Sequence, residues 1–226
     1  MSNGALGAIA GAGLCLVAAP YLARLTLTVP DRELRRWWPG RQAGPARLAV
    51  TAAVAVALGG LAGKAAGWGA LLPAFLALAL AATPLVIIDF EHHRLPNRLV
   101  FTAAAGAALL ALTALVRQDW HLLLRAAEGA AAVFAVLFLL AFVSPRSFGF
   151  GDVKLGGVLG AYLGWFGWGF VYYGIFGGFL LGAVVAVVLL STRRASLKTA
   201  LAFGPMLIAG SLLVMAFDLV PSLSSA

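Results

Sequence analysis

The sequence predicts an all-α fold, a polytopic transmembrane helix bundle of about eight helices (six to eight) forming one integral-membrane domain over residues 1–226. Three observations predict it. Hydrophobic residues make up 62% of the chain and charged residues only 11%, and mean hydropathy is +0.99. A soluble domain carries roughly a quarter charged residues, so too little polar surface remains to cover a particle in water, and the lipid bilayer becomes the solvent. Apolar runs of spanning length follow one another with short polar segments between them. The basic residues, finally, collect in alternate inter-run segments, as the positive-inside bias produces. The net charge of +8 is thus explained by topology, and no nucleic-acid partner is expected.

A spanning helix needs about 20 mostly apolar residues. Runs of that kind place helices at 4–28, 47–68, 70–89, 98–116, 126–143, 153–172, 174–191 and 200–220. No Lys or Arg precedes the first run, and Arg24 and further arginines follow it, which predicts a retained signal-anchor rather than a cleaved leader. Cys15, the single cysteine, lies within that run and reads as a small buried hydrophobe, so neither a disulfide nor a thiolate metal site is expected. The segment at about 29–46 reads as a basic cytoplasmic loop against the headgroups, with Trp37 and Trp38 at the interface. The third run ends at Asp89 and the sixth opens at Asp152. Between Gly167 and Gly178 two readings stand, a tight turn or one continuous long helix. Trp165, Phe166, Trp168, Tyr172 and Tyr173 there read as an aromatic interface belt. Abundant Ala and Gly suit helices whose backbones approach closely in lipid.

Charge sets the expected orientation. With the N-terminus outside, the outer segments hold Lys64, Arg117 and Arg125, and the remaining thirteen of the 16 Lys and Arg (16 − 3) lie inside. The positive-inside rule then predicts a multi-pass protein of the cell inner (plasma) membrane, N-terminus out.

Only eight acidic residues exist. Asp31, Glu33, Asp119, Glu128 and Asp218 all lie where water or headgroups reach them. Asp89 closes Thr83-Pro84-Leu85-Val86-Ile87-Ile88, and Asp152 sits in Gly149-Phe150-Gly151-Asp152-Val153-Lys154. Acids at such depth are costly when ionised and mark sites. Two spans separate them, so both belong to the same leaflet, cytoplasmic by the charge count. Peptide hydrolysis needs a base to deprotonate water and an acid to protonate the oxyanion and leaving amine. Two neighbouring carboxyls cannot both ionise, so such a pair supplies both roles with no metal or cofactor. Gly149 and Gly151 allow close approach of a substrate backbone and free amides near Asp152.

In these two motifs the chain resembles the prepilin peptidases, a branch of the GxGD intramembrane aspartyl proteases. Asp89 is followed seven positions on by Pro96 and then Asn97, while Gly149, Gly151, Asp152 and Lys154 fill the family's Gly-x-Gly-Asp-x-Lys element. The resemblance runs over about 84–164 and implies Asp89 and Asp152 as a catalytic aspartic dyad. It implies as substrates prepilin-like precursors (type IV pilins or pseudopilins), cut between a short basic leader and a hydrophobic helix, in pilus assembly or protein secretion. Longer members carry paired cysteines, associated with N-methylation, in the loop after the first helix. The matching segment here, about 28–47, has none, so peptidase activity without methyltransferase activity is expected.

Helix ends suggest how the dyad's proton is placed. Asp152 near a helix N-terminus is expected to be the ionised base, and Asp89 near a helix C-terminus to hold the proton. Lys154 has two readings, a cation snorkelling to the interface or a contributor to the site. Glu91 likewise either tunes Asp89 and contacts the basic leader or is an ordinary exposed charge. His92 and His93 are adjacent and lack further ligands, so no metal is expected. A rival reading from another class is a small proton-coupled transporter using the same aspartates. No pair of broken helices in two halves supports it, and both acids sit at one edge rather than mid-membrane.

Overall fold

The computed structural model describes residues 2–28, 42–144, 149–192 and 202–220, and within them the chain is all-helical. Eight helices follow in order: α1 (Asn3–Thr28), α2 (Pro45–Ala66), α3 (Leu72–His92), α4 (Asn97–Val116), α5 (Trp120–Val143), α6 (Phe150–Phe166), α7 (Trp168–Ser191) and α8 (Gly204–Phe217). Six of them, α1 to α5 and α7, are long and apolar enough to cross a membrane. The chain is a multi-pass membrane protein. Most of the basic segment at 29–46, including Trp37 and Trp38, lies outside the described residues, as do Arg146, Arg193, Arg194 and Lys198.

Neighbours in sequence pair as antiparallel hairpins, α1 with α2, α3 with α4, α5 with α6 and α7 with α8. α3 runs through the middle, touching α1, α2, α4 and α8, and every residue from Ala81 to Asp89 is buried. A helix apolar all round is a buried helix, and α3 is one. α7, equally apolar, lies at the periphery with Tyr172, Phe176, Leu180, Val184 and Val187 exposed to lipid. Tyr162 ties α6 to the centre. Its ring meets Phe75 edge-on with centroids 5.1 Å apart, and its hydroxyl donates to the Ala74 carbonyl at 2.9 Å, with that of Ala103 3.3 Å away.

Glycine sets the closest helix approaches. At the α1–α2 seam, Gly7 and Gly11 face Gly63 and Gly59, and a Cβ on Gly59 would stand 2.5 Å from the Gly11 carbonyl and 2.7 Å from Cys15 Sγ. Cys15 is fully buried there, as a small hydrophobe. Gly129 against Gly160 and Gly178 against Gly210 repeat the arrangement at α5–α6 and α7–α8. With no hydrophobic drive between helices in lipid, such contact is what dispersion forces require.

Three boundaries, the start of α5, the end of α6 and the start of α7, differ most from the sequence expectation. α5 begins at Trp120, not 126, because the Asp119 side chain accepts the Leu122 amide at 3.1 Å and caps the helix. The 165–178 stretch resolves at Gly167, whose φ of 142° lies in territory that favours glycine, so α6 ends at Phe166 and α7 starts at Trp168. Trp168 and Tyr172 are exposed as the belt reading requires, but Trp165 is buried and belongs to the core. Beside it, Arg125 donates to the carbonyls of Gly164 (2.9 Å) and Trp165 (2.6 Å), closing the C-terminal end of α6.

Candidate active site

Three helix ends meet at one edge of the bundle. α3 reaches it with its last turn, α6 and α8 with their first. Asp89, one turn before the end of α3, is 4% exposed, and Asp152, third residue of α6, is 9% exposed. They adjoin one side chain, because Leu95 packs against Gly151, next to Asp152, and against Gly204, whose amide holds Asp89. Residues 63 positions apart (152 − 89) are therefore gathered into one buried acidic pair.

Each carboxyl is held by one backbone amide. Gly149 precedes α6 in an extended conformation (φ −78°, ψ 146°), and its N–H donates to Asp152 Oδ2 at 3.3 Å while the Asp152 amide donates to the Gly149 carbonyl at 3.0 Å. This is half a capping box, the half in which the acid at the third helical position reaches back. Asp152 Oδ1 is buried with no hydrogen-bond partner among the described residues. Asp89 Oδ2 accepts the amide of Gly204, first residue of α8, at 3.1 Å. The sequence offered Asp89 only the C-terminus of its own helix; the structure adds the N-terminus of α8. Helix ends no longer separate the two aspartates, and the expected placement of the proton on Asp89 loses its basis.

The other residues singled out by the sequence surround this pair without bonding to it. Gly151 packs against Leu95, and a Cβ there would lie 2.8 Å from the Leu95 Cβ. Pro96 takes the position before α4, ending the short turn that begins at His93 (φ 49°). Lys154 donates to Asn97 Oδ1 at 3.0 Å with its ammonium 5.0 Å from the Phe150 ring centroid, so it bridges the starts of α6 and α4. Glu91 forms an ion pair with Arg47 at 2.5 Å, joining the end of α3 to the start of α2 in a partly exposed setting. Among the described residues no three His, Cys, Asp or Glu side chains are gathered as a metal-binding group.

Sequence reasoning missed Gly204 and Leu95. Leu95 lies between Gly151 and Gly204, within 3.1–3.2 Å of where a Gly204 Cβ would stand. The available signal was Phe203-Gly204-Pro205, a proline just inside a helix start with a glycine before it.

The geometry can be set beside known proteins. Residues 71–187 match the model of the type IV leader peptidase family, and this segment contains both aspartates. The chain belongs to that family. It is also 30% identical over 135 residues to proteins named prepilin leader peptidase/N-methyltransferase from Stutzerimonas stutzeri and Pseudomonas aeruginosa. Those alignments take in 59% of this chain and 46% of each relative, so it spans about half the length of the curated relatives it matches. No solved structure matches it.

Proposed function

We propose that this chain is an aspartic endopeptidase that cuts prepilin-like precursors, type IV pilins or pseudopilins, at the cytoplasmic face of the plasma membrane. The observation that carries the reading is the buried Asp89–Asp152 pair, each carboxyl on a backbone amide at a single bundle edge. Membership of the leader peptidase family supports the same chemistry and substrate class.

Two carboxyls so close hold one proton between them. The ionised member takes a proton from water as the water oxygen bonds to the scissile carbonyl carbon. The protonated member gives its proton to the carbonyl oxygen, which otherwise becomes an oxyanion. Collapse of the tetrahedral species breaks the C–N bond: the proton gained from water passes to the leaving amine, and one hydroxyl of the tetrahedral carbon returns its proton to the second carboxylate, restoring the starting pair. Burial excludes competing water and strengthens each electrostatic contact. No metal and no enzyme nucleophile enters any step.

The cut falls between the short basic leader and the hydrophobic helix that remains in the bilayer. The inner-edge placement follows from the basic-residue asymmetry, with the N-terminus of the chain outside. Peptidase activity stands alone in this reading, because the 28–47 segment carries no cysteine. Co-expression with a prepilin-type precursor, followed by size analysis, tests it. The parent chain shortens the precursor by the leader, and Asp89→Asn and Asp152→Asn each leave it full length while still inserting in membranes. Normal processing by both variants contradicts the proposal.

A further inference from the structure

Resting on the peptidase reading, we propose that Gly204 is a positioning residue: its backbone N–H and its bare Cα together fix the Asp89 carboxyl at the start of α8.

The first amides of a helix lack partners within it and seek others. At α8 the accounting is complete. Pro205 has no N–H, and the amides of Met206 and Leu207 both donate to the Phe203 carbonyl at 3.1 Å. The Gly204 amide is left, and it donates to Asp89 Oδ2 at 3.1 Å in a buried setting. The bond thus costs the helix nothing, and it joins residues 115 positions apart. Only glycine fits. A Cβ at this position would stand 3.0 Å from Asp89 Oδ2 and 3.1 Å from Leu95 Cδ2, closer than side chains comfortably pack.

The end of α8 is itself fixed. Phe203, the residue before Gly204, packs its ring on Phe179 of α7 with centroids 4.8 Å apart. Leu95, from the turn after α3, fills the space between Gly204 and Gly151. Gly151 directly precedes Asp152 and Gly204 donates to Asp89, so one leucine side chain adjoins the backbone beside one acid and the backbone that holds the other. A displaced Gly204 moves Asp89 relative to Asp152, and small misplacements in a catalytic pair are expensive in rate.

Gly204 touches a catalytic group rather than substrate, so its loss acts on kcat more than on KM. Two variants separate donor from space. Glycolic acid at position 204 turns the Phe203–Gly204 amide into an ester, removing the N–H without adding bulk. Gly204→Ala keeps the N–H and adds the methyl. Gly178→Ala is the control for general disturbance of α8, since its Cβ would stand 3.0 Å from Leu207 Cα with no dyad member near.

The measurement is steady-state cleavage of a purified prepilin-type precursor by the full chain in detergent, across pH, with thermal unfolding alongside. The ester is expected to lower kcat about 10- to 100-fold, leave KM within twofold, and displace the pH–rate profile, with a loss of melting temperature no larger than that of Gly178→Ala. Gly204→Ala is expected to lower kcat similarly, and Gly178→Ala to lower only the melting temperature. An ester variant with parental kcat and pH profile overturns the proposal, as does a Gly178→Ala variant that reproduces the kcat loss. If the parent fails to cleave, or Asp89→Asn cleaves normally, the peptidase reading itself fails, and the two failures are distinguishable.

Discussion

Glycine does different work at the two ends of this molecule. Along the α1–α2 seam, Gly7, Gly11, Gly59 and Gly63 are present for what they lack, and helix backbones touch where side chains would stand. At the α3–α6–α8 junction, Gly149 and Gly204 each aim an amide N–H at a buried carboxylate, and at Gly204 the bare Cα also leaves room for it. The seam contains no buried acid, and its disturbance is felt as packing. The junction contains both acids that the bundle buries among the described residues, and in the proposed reading its disturbance is felt as chemistry. Small residues alone therefore do not mark a site in a membrane bundle; small residues beside a buried ionisable group do.

The contrast can be broken by substitution at each end. The largest effect is expected from Asp89→Asn and Asp152→Asn, each lowering processing by about a thousandfold or more, since acid–base roles contribute up to about 10⁴-fold. Membrane insertion and melting temperature stay near parental values, because an amide is close in size to a carboxyl. Next comes Gly59→Leu at the seam, which forces α1 from α2. Overpacking of this kind costs about 1–3 kcal/mol, to be read in a reversible unfolding titration, while cleavage per folded molecule stays within twofold. A seam variant that kills cleavage but not stability erases the distinction.

Two smaller effects sharpen it. Tyr162→Phe removes a buried hydroxyl that serves the Ala74 carbonyl, at a cost of about 1 kcal/mol, with kcat unchanged. The Arg47–Glu91 pair lies at the junction but partly exposed, and a double-mutant cycle with alanine at both positions is expected to give a coupling below about 1 kcal/mol. Salt should weaken that coupling further. A larger coupling in kcat than in stability would move Glu91 from structure into the chemistry.

Much of this was legible in the residues. Long apolar runs set the helix order and a count of six to eight, left open around 165–191, because lipid tolerates nothing but satisfied backbone across its core. Asp89 and Asp152 stood out because acids at the ends of apolar runs are rare, and the parity of two intervening spans put them on one edge. The α5 start was also readable, since Asp119 is a good cap, but a search for uninterrupted apolar residues skipped the turn containing His121 and Arg125. Trp165 was misplaced because composition cannot say which face of a helix meets lipid. Gly204 left no side-chain signature, as the donor is backbone and its acceptor lies 115 residues away. Lys154 keeps its two readings, and its bond to Asn97 at 3.0 Å was not legible because it arises from the adjacency of α4 and α6. Local pattern reveals the elements; which helix ends converge is decided by packing.

The proposed peptidase chemistry depends on Asp89 and Asp152 facing one another across the junction. Chemical cross-linking tests that most directly: cysteines at both positions in a Cys15→Ala background, treated in native membranes with a short thiol-bridging reagent, after a protease site is placed between α4 and α5. The account predicts that the cleaved halves stay joined when both cysteines are present and separate when either is missing. Halves that separate in the double-cysteine protein, with both thiols shown to be reactive, would contradict it.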